Sequence, residues 1–444
     1  MKNLLSVIFS LIFTFLLSAF VIKNPVFAQT EICKWQFNRT GAVSITYDDG
    51  SINQFKRAMP VMDSLHFPGT FFIVTGQLEG SAYQAKFVGR PVKDIINETK
   101  SELTNSQNFF ERASAVRFLG YKGTLDYFFR SGQQYENGKI QNAYKIIDTA
   151  YEKVRSGKLK LGVDVSDEAA ATAQNSWAAF KEYATRGHEF ACHSISHPFF
   201  AILDEANMHY ELEKSKEDIL NHLGAAHTFS AEIPFGTEDK RVMKYAVQSN
   251  LFPAYRNIMP DSFVHEINRG YKEAPGNPTK EYVQWQRGPL SKTPMTVMKS
   301  WVDTVLNHDN IWLVLVFHGV DSIGWEPLNH SELSTYFKYI KSSENNLWVA
   351  TFGDVTKYIR ERMDTKVNAI QESNKITVSL KNSLNSSEYN LPLTLKTYIL
   401  PAWNSVMIKQ GGEIRQGEIL KDDKGKYVIY QALPNSAPIE LTAK

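Results

Sequence analysis

The sequence predicts an α/β fold, a distorted (β/α)7 barrel with a helical insertion, followed by a small C-terminal all-β sandwich. Three observations predict it. From Thr40 onward short β-rich runs alternate with amphipathic helical patterns, the signature of a parallel sheet, and about seven such units suggest one closed or nearly closed on itself, with an open doubly wound sheet as the alternative. The rhythm lapses between Val74 and Glu189, where the residues carry helical spacing instead. Past Asp364 the helical period disappears, and short alternating strands are separated by Asn, Ser, Gly and Asp.

The barrel strands are read at Ala42 to Tyr47, Thr70 to Val74, Glu189 to His193, Thr228 to Pro234, Phe252 to Arg256, Trp312 to Phe317 and Leu347 to Thr351. Helices with apolar residues three and four apart lie between them, such as the stretches beginning at Asn53, Glu205, Asp239, Thr296 and Ser331. The insertion occupies about residues 80–175, with helices expected in ELTNSQNFFERASAVRFLGY and NAYKIIDTAYEKVRSG. Because it follows the carboxyl end of a strand, it is placed near the active face of the barrel as a cap or as a structural elaboration. The domain reading is an export signal at 1–28, the barrel with its insertion at 29–364, and the β-sandwich at 365–444. That last segment contains neither His nor Cys, which turns the search for metal chemistry to the barrel. Tyr389, Tyr398 and Trp403 are its candidates for sugar contact, with packing as the plainer role.

Among the 444 residues, 49 Lys and Arg balance 47 Asp and Glu, a formal net charge of +2, and no long basic run occurs. Nucleic acid is therefore not an expected partner, since phosphate binding requires clustered cations. Nothing in the pattern selects an oligomeric state. Lys2, the apolar run from Leu4 to Ile22 and the small residue Ala28 read as an export signal cut after Ala28, with an uncleaved membrane anchor as the alternative. Cleavage there leaves no membrane span, and the body is expected in the periplasm, at the cell surface or secreted. Two cysteines, Cys33 and Cys192, allow at most one bridge.

Active sites of parallel barrels sit at the carboxyl ends of the strands, and polar groups collect there. The first strand ends in Asp48-Asp49-Gly50. Adjacent carboxylates point in different directions, so one can bind a cation while its neighbour serves as a base. The third strand ends at His193, and a helical turn from His193 to His197 is expected to bring both imidazoles to one ion. The fourth strand runs into Pro234-Phe235-Gly236, a tight turn whose backbone amides can face a ligand, and the sixth ends in His318. Two histidines and one carboxylate leave a coordination position open. Zinc is the first choice for such ligands, with cobalt, nickel or iron also chemically acceptable.

In this order TYDDG, HSISHP, PFG and FHG resemble the motifs of the polysaccharide deacetylase family, the NodB homology group also called carbohydrate esterase family four. The resemblance covers about Thr40 to Arg362 without the insertion. It implies a barrel of the deacetylase type, with Asp48 as general base, Asp49, His193 and His197 as ligands of one divalent metal ion, and His318 as general acid. It also implies that the backbone N–H of Phe235, within the turn Pro234 to Gly236, faces the oxyanion. The chain departs from the family in three places. Tyr47 replaces the usual Phe, and Glu232 stands where the family commonly has an arginine that steadies the catalytic aspartate. Arg256 is the preferred substitute for that arginine, ahead of Arg287. The family's Asp and Trp that line the site have no match, since Trp301 and Asp303 fall on a predicted helix.

The function so implied is metal-dependent removal of acetyl groups from an N-acetylated polysaccharide or oligosaccharide. An esterase acting on O-acetylated glycans such as xylan, and a glycan-binding protein without turnover, are the alternatives. An iron oxygenase fits poorly, because its site is expected within an all-β pattern.

Overall fold

The computed structural model describes residues 26–27, 29–237, 239–256 and 281–443. Apart from Val26 and Phe27, the expected export signal lies outside the described residues. Among the described residues no helix is long and apolar enough to cross a membrane. The described residues divide into two compact units, one within 33–364 with 384–391, the other within 26–32, 365–383 and 392–443.

The larger unit is a curled parallel sheet wrapped by helices. Its strands are β1 (Gly41–Tyr47), β2 (Gly69–Ile73), β3 (Glu189–Cys192), β4 (Ser230–Ala231), β5 (Ala254–Tyr255), β6 (Val283–Arg287), β7 (Ile311–Phe317) and β8 (Leu347–Val349). They are hydrogen-bonded in the order β5-β4-β3-β2-β1-β7-β6, all parallel, with β8 on β1. β7 runs along one edge of β1, while the other edge is shared by β8 at Gly41–Val43 and β2 at Ile45–Tyr47. Every residue of β1, β2 and β7 is buried, as expected of strands covered on both faces. At the outer strands side chains stand in for a ladder. Gln284 and Gln286, which share one face of β6, donate to the carbonyl of Arg256 just beyond β5 at 2.7 and 2.8 Å.

The helices are α1 (Met59–Ser64), α2 (Val92–Glu98), α3 (Phe109–Val116), α4 (Thr124–Glu136), α5 (Ile140–Arg155), α6 (Asp167–Thr172), α7 (Trp177–Ala184), α8 (Glu205–Leu223), α9 (Lys240–Ser249), α10 (Met295–Leu306), α11 (His330–Lys341) and α12 (Phe352–Asp364). Ser166, Ser176 and Asp204 cap α6, α7 and α8 by accepting backbone N–H groups of the first turn, which satisfies donors that otherwise lack partners. The insertion is helical throughout α2 to α6. Of these, α4 is not anticipated from the sequence because Gly132 and its aromatic neighbours obscure the period. Gly132 admits the ring of Phe199, whose Cγ would lie 2.6 Å from a β-carbon there.

Two expected features are corrected. The strands expected at Thr228 to Pro234 and Phe252 to Arg256 shrink to the two-residue β4 and β5. β6 is an additional strand, missed because its inward glutamines read as a solvated face. Cys33 and Cys192 are both buried and form no bridge with each other. Burial pushes Cys192 up to about 11, so it sits as a protonated core residue, donating to Ser215 Oγ at 3.3 Å.

The second unit is antiparallel. One sheet has the order Val26–Phe27, Lys366–Gln371, Lys375–Lys381, Ile439–Ala443, Val406–Gln410, Glu413–Gly417. The other is Ile419–Lys421, Lys426–Ala432, Leu393–Tyr398, Thr30–Ile32. Ile376, Val378, Leu395, Val406, Val428 and Leu441 fill one core, the alternate residues of each strand turning inward. Trp403 is part of that core rather than exposed. Strands from the amino-terminal stretch thus complete both sheets.

Glu361, buried on α12, accepts the Leu391 N–H with both carboxylate oxygens at 3.2 Å. Burial, partly offset by that hydrogen bond, raises its pKa to about 7. A carboxyl whose folded pKa exceeds its unfolded value binds more protons when folded, so stability falls as pH rises from its ordinary range through about 7. Glu361→Gln is therefore expected to raise Tm relative to the unmodified chain more at pH 8 than at pH 5, measured by thermal unfolding.

Candidate active site and metal centre

The carboxyl ends of β1, β3, β5 and β7 bring Asp48, Asp49, His193, Arg256 and His318 into one place. Asp48 N–H continues the sheet by donating to Phe317 O at 2.9 Å. The backbone then turns through the left-handed region at Asp49 and Gly50, both at φ 73°, and the two carboxylates diverge. Thr172 Oγ1 donates to the carbonyl of Asp49, and Asn175 Nδ2 donates to that of Gly50 at 2.8 Å. Both come from α6 and the segment after it, so the insertion braces the turn that carries the acids.

His193 and His197 meet as expected, though not through a helical turn. The segment after β3 is a loop in which Ser194 and His197 adopt φ of 69° and 53°. Such angles are unfavourable for residues with a β-carbon. They are held here by Glu211 of α8, which accepts the N–H groups of Ile195 and Ser196 at 3.0 and 2.9 Å and the Ser196 hydroxyl at 2.5 Å. Ser194 Oγ accepts the His197 N–H at 3.0 Å. Gly76 N–H donates to Ile195 O at 2.9 Å, and a β-carbon on Gly76 would lie 2.6 Å from that oxygen.

Asp49, His193 and His197 each offer one ligand atom within 4.8 Å of the others, and all three are buried. Asp49 Oδ1 stands 3.6 Å from His193 Nε2 and 3.3 Å from His197 Nε2. His193 Nδ1 lies 2.9 Å from the carbonyl of Glu232. A carbonyl can only accept, so Nδ1 carries the proton and Nε2 offers a lone pair. Glu168 of α6 lies 3.8 Å from the Nδ1 of His197. Burial lowers both imidazoles, His193 to about 4, and leaves them neutral as ligation requires. Burial and then the Asp48 and Glu168 charges raise Asp49 well above its ordinary range. Its Oδ1 has no hydrogen-bond donor. A buried carboxylate oxygen without a donor, facing two imidazole nitrogens, fits a divalent cation.

Asp48 is gripped by Arg256. Nη1 donates to Oδ1 at 2.7 Å and Nη2 to Oδ2 at 2.6 Å, while Nη1 also reaches Thr46 Oγ1 at 2.9 Å. Burial would raise the carboxyl, but the Arg256 and His318 charges outweigh it and hold Asp48 well below the usual carboxylate range. Glu232 is buried too, its Oε2 3.4 Å from Arg256 Nε. Glu232, at the position where an arginine is expected, therefore faces Arg256 at the end of β5. Arg287 instead stacks on Trp285, 4.1 Å from its centroid. Arg256→Lys keeps the charge but loses the two-pronged geometry. It is expected to cut turnover by about 10–100-fold at unchanged metal content, checked by steady-state kinetics with elemental analysis.

His318 Nε2 lies 3.5 Å from Asp48 Oδ2. Its pKa is lowered by burial, partly offset by Asp48. Gln54, which no sequence signal marks, ties the pair together: its Nε2 donates to the carbonyls of Asp48 and His318 at 2.5 and 2.9 Å. It begins a turn of π-helix, Gln54–Ala58, a local widening frequently found at functional sites.

Pro234–Gly236 forms a single 3-10 turn with Phe235 at φ 64°. The Phe235 ring lies edge-on to His197 at 4.6 Å and flat on Phe199 at 3.9 Å. Phe129 of α4 packs against both rings, a second place where the insertion meets the site. Trp301 and Asp303 lie on α10, where the Asp303 carboxylate accepts from the Tyr339 hydroxyl.

Comparison with known proteins gives a family match over part of the chain and more distant likenesses. Residues 163–252 match the family model described as Polysaccharide deacetylase. The match includes His193, His197, Glu232 and Pro234–Gly236, and it ends before Arg256 and His318. The resemblance read from the motifs is thereby borne out over HSISHP and PFG, while TYDDG and FHG lie outside the matched residues. A curated relative, a gellan lyase of Bacillus sp, is 23% identical over 286 residues, 60% of this chain, of which the chain spans only 11% of the relative's length. Among solved structures, the Xyl-CE4 domain of a multidomain xylanase from the hindgut metagenome of Trinervitermes trinervoides has a TM-score of 0.34 at 11% identity, covering 71% of this chain and 89% of that one. A peptidoglycan N-acetylglucosamine deacetylase has a TM-score of 0.32 at 13% identity, covering 75% and 94%.

Proposed function

We propose that this chain, matched to the polysaccharide deacetylases over residues 163–252, is a metal-dependent hydrolase that removes acetyl groups from an N-acetylated glycan. The observation that carries the proposal is the buried Asp49, His193 and His197 group beside the Asp48–Arg256 pair. Asp49 Oδ1 and the Nε2 atoms of both histidines would hold one divalent cation, with zinc the first choice for two nitrogens and one oxygen. When bound, the cation supplies Lewis acidity toward the acetyl carbonyl.

The chain's own residues do the rest. Asp48, ionised by the Arg256 grip, accepts a proton from the attacking water. Arg256 fixes the orientation of that carboxylate, and Gln54 fixes its backbone relative to His318. His318, 3.5 Å from Asp48, takes up the proton that Asp48 removed from the water and delivers it to the departing nitrogen, which leaves as the amine while the acyl carbon keeps the remaining hydroxyl as acetic acid, which ionises to acetate. The backbone N–H of Phe235 is assigned to the oxyanion. Export from the cytoplasm belongs to the same proposal, resting on the amino-terminal sequence.

The test is acetate release from N-acetylated chitohexaose and from acetylated xylan by the zinc-loaded chain. Release from the first above the second supports the amide assignment. Release from xylan alone makes the protein an O-acetyl esterase, and release from neither refutes both.

A further inference from the structure

The geometry points to Trp325 as a sugar-stacking platform on the His318 side of the site, paired with Phe235 on the metal side, so that the chain takes the interior of a polymer. This inference rests on the glycan reading above. Phe235 touches His197 at 4.6 Å, His197 faces Asp49 at 3.3 Å, Asp48 lies 3.5 Å from His318, and His318 meets the ring of Trp325 at 4.6 Å. One aromatic ring therefore adjoins a metal-facing histidine, and another adjoins His318. Both acids and both metal-facing histidines are buried, whereas Phe235 is 41% exposed and Trp325 is 53% exposed.

A single exposed tryptophan is ordinary on a protein surface. This one is held out by a loop built against backbone preference. Asp321, Ser322 and Glu326 all take positive φ, at 48°, 67° and 43°, and Gly324 takes 89°. Non-glycine residues persist there only when the surroundings determine them. Gly319 N–H donates to Trp325 O at 2.8 Å, and Asn53 Nδ2 donates to Val320 O at 2.9 Å. Asp321 Oδ1 accepts the His330 N–H at 2.8 Å, and Glu326 accepts the Ser291 N–H at 3.0 Å. Phe235 is equally fixed, by its stack on Phe199 and its edge contact with Phe129.

A rigid indole that is about half exposed and carries a polar edge fits the C–H face of a pyranose, whose hydroxyls remain free to bond elsewhere. With rings on both sides, the residue that loses its acetyl group has a neighbour toward each end. A chain interior is bound in preference to a free monosaccharide. Trp325 belongs to none of the four motifs that the chain shares with deacetylases.

The test is calorimetric titration of the zinc-loaded chain with N-acetylated chitohexaose, repeated for Trp325→Ala and Trp325→Phe after equal Tm values confirm folding. The expected result is a Kd raised about tenfold or more by Trp325→Ala, which corresponds to about 1.4 kcal/mol, and largely restored by Trp325→Phe. A Kd within about twofold of the unmodified chain, or no binding of the hexasaccharide by the unmodified chain, overturns the platform. Acetate release by the unmodified chain, measured in parallel, is read separately: its absence from every glycan refutes the deacetylase reading whatever Trp325 does.

Discussion

Asp48→Asn is expected to lower the rate of acetate release by about 10²–10⁴-fold, the range lost with a positioned general base, while metal content stays the same. The reason lies in the divergence of the two neighbouring acids. Asp49 faces the imidazoles of His193 and His197, whereas Asp48 turns to Arg256 and His318. The amide keeps the shape and one acceptor for Arg256, so folding should survive even though the buried guanidinium loses part of its partner. Kinetics with elemental analysis on the same preparation check this. Undiminished turnover would remove Asp48 from the role of base, and lost metal would show that the two acids are not separable.

His197→Ala is expected to have the larger effect on metal. It removes one of the three convergent ligand atoms, so stoichiometry should fall from about one ion per chain to well below ~0.1 at micromolar zinc, with turnover lost alongside. A readout independent of activity follows from linkage. An ion that binds only the folded chain raises Tm in proportion to the logarithm of its free concentration, about 2.7 kcal/mol at a hundredfold excess over Kd. Zinc should therefore stabilise the unmodified chain and leave His197→Ala unmoved, as calorimetric scans with and without zinc would show. An equal shift in both would place the binding elsewhere.

Much of this site is legible in the amino-acid sequence, because strand ends are where the chemistry of a parallel barrel gathers. Asp48, Asp49, His193 and His318 each follow an apolar run whose length and composition mark it as a strand. The way His193 and His197 come together is not legible there. A spacing of four suits a helical turn, and the loop that forms instead is dictated by the Glu211 carboxylate on a distant helix. Glu232 stands out as a departure from the family pattern, but its partner does not, since Arg256 lies beyond another helix and strand. Gln54 carries no motif at all; its importance is two hydrogen bonds to backbone carbonyls that only the closed sheet brings together.

The same contrast holds for the fold. Fully apolar β7 announces itself, while β6, with Gln284 and Gln286 turned inward, has the alternation of a surface strand. In the second unit, the stretches Val26–Phe27 and Thr30–Ile32 are too short to carry a period. Their place in the sheets is set by pairing with Ile370–Gln371 and with Leu395–Thr397, residues far along the chain.

The most direct test of the central claim is elemental analysis of the purified chain, paired with acetate release from N-acetylated chitohexaose by the same sample. About one zinc-like ion per chain, with acetate released in its presence and release abolished by chelation, is the result predicted. No bound metal after reconstitution with zinc, cobalt, nickel or iron, or full acetate release from a metal-free chain, would contradict it.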